Sequence, residues 1–121
     1  NILSAACEDA AGVIGAYHLN LLERMNRELG ADFQVKRFKY GATYNDAHGW
    51  VETRIESEYS QFVRIAGQRF DFRPGESMQT GIACKYSVPE FQEIVRAAHF
   101  SCEKVWSDPH NLFAVFGLIA E

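Results

Sequence analysis

The sequence predicts an α+β fold: a mostly antiparallel sheet of about five to seven strands with two main helices. Three observations predict it. A long helical period fills the first quarter, an alternating pattern follows, and a second helix start stands at Ser87-Val88-Pro89-Glu90. The connections between strand candidates are short and carry Gly or Pro, which makes neighbouring strands antiparallel. With 121 residues and neither repeats nor linkers, residues 1–121 read as one domain.

The first helix spans about Ala10 to Leu29. Val13, Tyr17, Leu21, Met25 and Leu29 recur every four residues, and Ile14 and Leu22 widen that stripe. Asp9 suits the N-cap, Gly30 suits a left-handed C-terminal position, and Glu23 with Arg27 forms a favourable i,i+4 pair. Asp32–Phe38 has room for one helical turn. Strands are expected over Tyr40–Tyr44, Trp50–Ser57, Gln61–Ala66, Arg69–Phe72 and Ser77–Lys85. Asn45–Gly49 forms a hairpin loop by composition, Ala66-Gly67-Gln68 turns the chain again, and Pro74-Gly75 precedes the fifth strand. The Ser-x-x-Glu box with an early Pro then opens a helix to about Ala98, with Phe91, Ile94, Val95 and Ala98 on its apolar face. Two last strands follow, Ser101–Trp106 and Leu112–Ala120.

Composition removes several function classes. Twelve basic residues stand against 16 acidic ones, net −4, and the basic residues are not clustered in sequence, which argues against nucleic acid. No apolar run reaches the roughly 18 residues of a membrane span. Cys7, Cys84 and Cys102 make an odd count without a Cys-x-x-Cys pair, which fits a cytoplasmic setting rather than a disulfide framework. His18, His48, His99 and His110 lie far apart without ligand spacing, so no structural metal is expected. The start at Asn1, without Met or a basic leader, reads as that of a fragment or processed product.

Phosphate and nucleoside loops need a strand, a tight glycine turn and a helix N-terminus, in that order. The nearest glycine pair, Gly12 and Gly15, falls at the first helix with no strand before it, and no Walker or nucleophile-elbow pattern occurs. Glu52, Arg54 and Glu56 alternate with Val51, Thr53 and Ile55, the pattern of a half-solvated strand more than of an acid–base pair. Most aromatics suit a core. Tyr17 and Trp106 are the two that could line a pocket.

A set of motifs carries a family resemblance. Gly12-Val13, Asn20-Leu21-Leu22-x-Arg24-x-Asn26-Arg27-Glu28-Leu29 and Ala31-Asp32-Phe33 come first. Val51-Glu52-x-Arg54, Gln61-x-Val63, Phe72 with Gly75-Glu76, Lys85-Tyr86 and Trp106-x-Asp108-Pro109 continue in register. Together they resemble the histidine Nα-methyltransferases of ergothioneine biosynthesis. The resemblance implies a Rossmann-type domain that binds S-adenosyl-L-methionine and a second domain that closes over the amino-acid substrate. This chain is similar to the C-terminal, substrate-binding part. On that reading the cofactor belongs to a Rossmann domain outside this chain, and the fragment alone is not catalytic. The expected partners are an amino-acid or amine substrate and the rest of the same methyltransferase chain. Self-association of the fragment is expected where a missing N-terminal segment would pack.

The departures from the family pattern mark the candidate site. The resemblance implies a Tyr where Cys7 stands, a Met at Thr53, a Glu at Gly81 and a Ser at Ala83, with the Tyr, Glu and Ser holding the substrate. Those three polar groups are replaced by smaller side chains. The substrate-binding candidates are therefore Cys7, Tyr17, Thr53, Gly81 and Ala83, with no catalytic, cofactor or metal residues. Glycine cannot replace a buried carboxylate that pairs with an imidazole N–H. Two readings follow: a methyltransferase segment for a bulkier or aromatic substrate such as an indole, or a degenerate homologue that only binds.

Overall fold

The computed structural model describes residues 2–7 and 11–121, save the side chains of Ser4 and Cys7. Two compact units make up the chain, Asn1–Cys84 and Lys85–Glu121. In the first, a short helix α1 (Ile2–Cys7) precedes the long helix α2 (Val13–Leu29). A 3-10 turn (Val35–Arg37) leads into strands β1 (Phe38–Asn45), β2 (Trp50–Ser57), β3 (Gln61–Ile65), β4 (Gln68–Phe72) and β5 (Ser77–Cys84). The second unit holds α3 (Val88–Ala97), β6 (Phe100–Ser107) and β7 (Ala114–Ala120). The α+β class and antiparallel pairing expected from the sequence are present, with the strands divided among three sheets: β1-β2-β5, β3-β4 and β6-β7.

Helix α2 begins after Gly12, whose φ of 71° is left-handed, while the expected cap Asp9 lies outside the described residues. At the far end Gly30 is left-handed as expected, and its N–H donates to the Met25 carbonyl. Only part of the expected stripe, Leu22 and Met25, faces the core. Leu22 is fully buried, with Leu19 and Met25 packed beside it, while Val13, Tyr17 and Leu21 are 67%, 76% and 43% exposed. Helix α2 faces Tyr40 of β1 at Gly15, and the His18 ring stacks on Tyr40 with centroids 4.9 Å apart. That contact turns the Val13–Tyr17–Leu21 stripe outward. The ion pair also differs from expectation: Arg24 and Arg27 both reach Glu28 at 3.2 Å.

The core gathers Leu22, Phe33, Phe38, Ile55 and Val63, with Phe72 and Met78 against it. Phe33, Phe38 and Phe72 meet edge-on or tilted, at centroid distances of 5.5 to 6.5 Å. Val63 and Phe72 bring the β3–β4 hairpin into this core. Its two-residue turn, Ala66-Gly67, takes positive φ at both positions (48° and 79°), as a primed hairpin turn requires. Along β2 the burial alternates strictly, with Val51, Thr53, Ile55 and Ser57 inward. Glu52, Arg54 and Glu56 lie on the other face, where Glu56 meets Lys39 at 2.9 Å.

In the second unit the Ser87/Glu90 capping box is complete. Val95 of α3 is buried, and Phe91 packs on Phe116 of β7 with centroids 4.5 Å apart. The last strand is shorter than expected. Leu112 and Phe113 lie in the loop because their N–H groups donate to the Asp108 carboxylate, at 2.6 and 2.8 Å, instead of to a neighbouring strand. His110 N–H donates to the same carboxylate at 2.9 Å. These bonds, led by Phe113 and then His110, hold the Asp108 carboxyl below its usual range. A depressed carboxyl stabilises the fold above its unfolded pKa, and that contribution disappears as pH falls through the folded pKa. Hydrogen exchange at Leu112 and Phe113, corrected for intrinsic rates, is therefore expected to lose protection on acidification below the ordinary Asp range. Asp108→Ala should show the same lost protection already at neutral pH.

Candidate functional site

Three of the five candidate residues, Thr53, Gly81 and Ala83, lie together on the β2–β5 pair. Register places Thr53 opposite Gly81 and Val51 opposite Ala83, and opposed residues of an antiparallel pair share a face. This is the inward face, on which α1 and α2 pack against β1. The Thr53 hydroxyl donates to the Gly81 carbonyl at 3.2 Å and accepts from the Thr80 hydroxyl at 3.2 Å. Thr53 is 8% exposed, so this short chain of bonds satisfies a buried hydroxyl. A Cβ added at Gly81 would stand 3.2 Å from Thr53 Oγ1, closer than ordinary contact.

Strand β5 is bulged here. Thr53 pairs with Gly81 but the next residue, Arg54, pairs with Gln79, so Thr80 is the extra residue. Simple alternation would put Thr80 on the face away from Gly81. The bulge instead lets its hydroxyl reach Thr53, and Thr80 lines a cavity of about 210 Å³ with Tyr17, His18, Asn20, Leu21 and Arg24. Thr80 is the residue of this candidate site that sequence reasoning missed, because an alternating pattern carries no sign of the extra residue. Tyr17 joins the site only through this cavity, whose lining does not include Thr53, Gly81 or Ala83. Cys7 ends α1, which packs on β1 and β2, and its side chain lies outside the described residues. Ile82 faces away and is half-exposed, opposite Glu52.

The chemistry of this wall is that of positioning. Its polar groups are hydroxyls, and the nearby carboxylates are engaged elsewhere. Glu52 accepts from Trp50 Nε1 and Asn45 Nδ2, both at 2.9 Å, and these bonds hold its carboxyl below the usual range. Among the described residues no group of three or more His, Cys, Asp or Glu side chains could hold a metal ion. The motif residues that carry the resemblance are largely structural. Asn26 both donates to and accepts from the Phe33 backbone, at 2.8 Å each way, and Asp32 accepts from the Arg64 N–H at 2.6 Å.

An α+β scaffold carrying those motifs points to a methyltransferase. A family model described as histidine-specific methyltransferase, SAM-dependent, matches residues 1–120, and the chain belongs to that family. It is 35% identical over 120 residues to a histidine N-alpha-methyltransferase of Mycolicibacterium smegmatis, covering 93% of this chain. It is 32% identical over 115 residues to the enzyme of the same name from Mycobacterium tuberculosis, again covering 93% of the chain. In both cases the match spans 36% of the relative, so this chain corresponds to about a third of their length.

The family's cofactor can be tested against the residues present. Helix α2 follows α1 rather than a strand, and α3 follows β5 through a capping box with no glycine between. Neither offers the strand–glycine–helix turn that cradles a nucleoside. Among the described residues no helix is long and apolar enough to cross a membrane.

Proposed function

We propose that residues 1–121 form the substrate-recognition part of a SAM-dependent amino-acid N-methyltransferase whose pocket is altered away from plain histidine. The observation that carries this is the Thr53–Gly81–Ala83 face, small and hydroxyl-bearing where the family resemblance implies a Glu and a Ser. Such a face offers no carboxylate to an imidazole, which favours a bulkier or aromatic side chain over plain histidine. The partners in this reading are an amino-acid or amine substrate and the remainder of the same chain, which supplies the cofactor site, in the cytoplasm. The free thiols of Cys84 and Cys102 support that compartment. Methyl transfer to a neutral amine asks mainly for alignment, so a wall without an acid–base dyad suffices. The same loss of recognition groups also supports a second reading, a homologue that binds without catalysis.

One comparison separates these readings. The longer protein should bind S-adenosyl-L-methionine by calorimetry and methylate an aromatic amino acid, whereas residues 1–121 alone should bind no cofactor. Saturable cofactor binding by the 121-residue chain would overturn the division of labour. Cofactor binding without methylation of any amino acid would favour the second reading.

A further inference from the structure

The exposed face of the β3–β4 hairpin carries cations that the proposed function does not use. Register sets Arg64 directly opposite Arg69, and like charges in opposed positions weaken a strand pair. Both guanidiniums rest on the Phe62 ring, 5.0 and 4.1 Å from its centroid. The ring attracts each cation and holds its planar fork at the surface. Two cavities meet at Ser60, Gln61 and Phe62. One, of about 1030 Å³, is lined by Arg69 and Arg73, and the other, of about 310 Å³, by Arg37 and Arg64.

Four of the chain's 12 basic residues thus gather at one hairpin of a protein with net charge −4. Local carboxylates answer them only in part. Asp71 pairs with Arg69 at 2.6 Å, while Asp32 and Glu76 are bonded to the backbone N–H groups of Arg64 and Arg73. Among the described residues, the side chains of Arg37, Arg64 and Arg73 form no ion pair. None of the four arginines stands at a position that carries the family resemblance, although Gln61, Phe72, Gly75 and Glu76, which do, line the cavity with Arg69 and Arg73.

We propose that this face docks an acidic polypeptide segment, with its carboxylates bridging Arg64 and Arg69. A guanidinium fork matches a carboxylate in two parallel hydrogen bonds, and a bound carboxylate would relieve the Arg64–Arg69 repulsion. Charge spacing favours a peptide over a nucleic acid. Asp32, Asp71 and Glu76 interrupt the cations and repel a continuous phosphate backbone, whereas separated carboxylates can straddle them.

Fluorescence anisotropy with a labelled peptide of alternating Asp and Glu tests this, beside a Lys/Arg peptide and a single-stranded oligonucleotide of equal length. The acidic peptide should bind saturably, more weakly as salt rises. Arg64→Gln with Arg69→Gln should weaken binding by about tenfold or more, while thermal melting stays unchanged or rises. Absence of saturable binding at low salt would overturn the proposal. So would equal binding by the double variant, equal binding of the Lys/Arg peptide, or tighter binding of the oligonucleotide.

Discussion

In the longer enzyme to which we assign this chain, Gly81→Glu with Ala83→Ser is expected to raise the use of histidine by about ten- to a hundredfold. A hydrogen bond to a charged group contributes roughly 1.5–3 kcal/mol, and each factor of ten corresponds to about 1.4 kcal/mol. Both substitutions fall on the inward face that carries Thr53, so the new carboxylate and hydroxyl would point to the same side. The first of them is not sterically free. Any Cβ at Gly81 comes within 3.2 Å of Thr53 Oγ1, so Thr53 must give by a few tenths of an ångström. Gly81→Ala therefore serves as the steric control, and it should weaken a bulky substrate without improving histidine. Steady-state kinetics with histidine and tryptophan decide the matter. If histidine use stays flat in a folded double variant, Gly81 does not face the substrate.

Truncating Leu22 to Ala is expected to lower stability by about 3 kcal/mol, within the roughly 2–5 kcal/mol typical of buried Leu. Leu22 is fully buried at the centre of the cluster with Phe33, Phe38, Ile55 and Val63, where a cavity has little freedom to collapse. Against a total stability of about 5–15 kcal/mol, this is a large share. Its neighbour Leu21 lies on the outward stripe, and Leu21→Ala should change stability by no more than about 0.5 kcal/mol. Urea unfolding of both variants measures the contrast. Equal losses would mean that α2 presents a different face to the sheet.

That contrast also shows how far the sequence could be read. Helix α2 and its Gly30 terminus were legible because period and capping are local. Which face turns inward was not, since α2 is apolar on both sides. The choice rests on Gly15 and His18 meeting Tyr40, a contact between residues far apart in the chain. Strand existence was legible, but partner choice was not: β2 pairs with β5 across the inserted β3–β4 hairpin. At the last strand, Leu112 and Phe113 look like strand residues until the Asp108 carboxylate takes their N–H groups. At the candidate site, alternation put Gly81 and Ala83 on one face and the family resemblance named Thr53 with them, whereas neither the register that sets Thr53 opposite Gly81 nor the bulge that recruits Thr80 follows from alternation.

Asn26 has a kinetic consequence. Its amide holds Phe33 by both backbone groups, as a neighbouring strand would, across only seven positions of chain. The Thr53–Gly81 bond closes a span of 28. Loop-closure entropy grows by about 0.6 kcal/mol for each doubling of length, so the longer span carries about 1.2 kcal/mol more. The corner between α2 and the core therefore has the lower contact order, and the Thr53–Gly81 wall is the entropically later part of the unit to assemble.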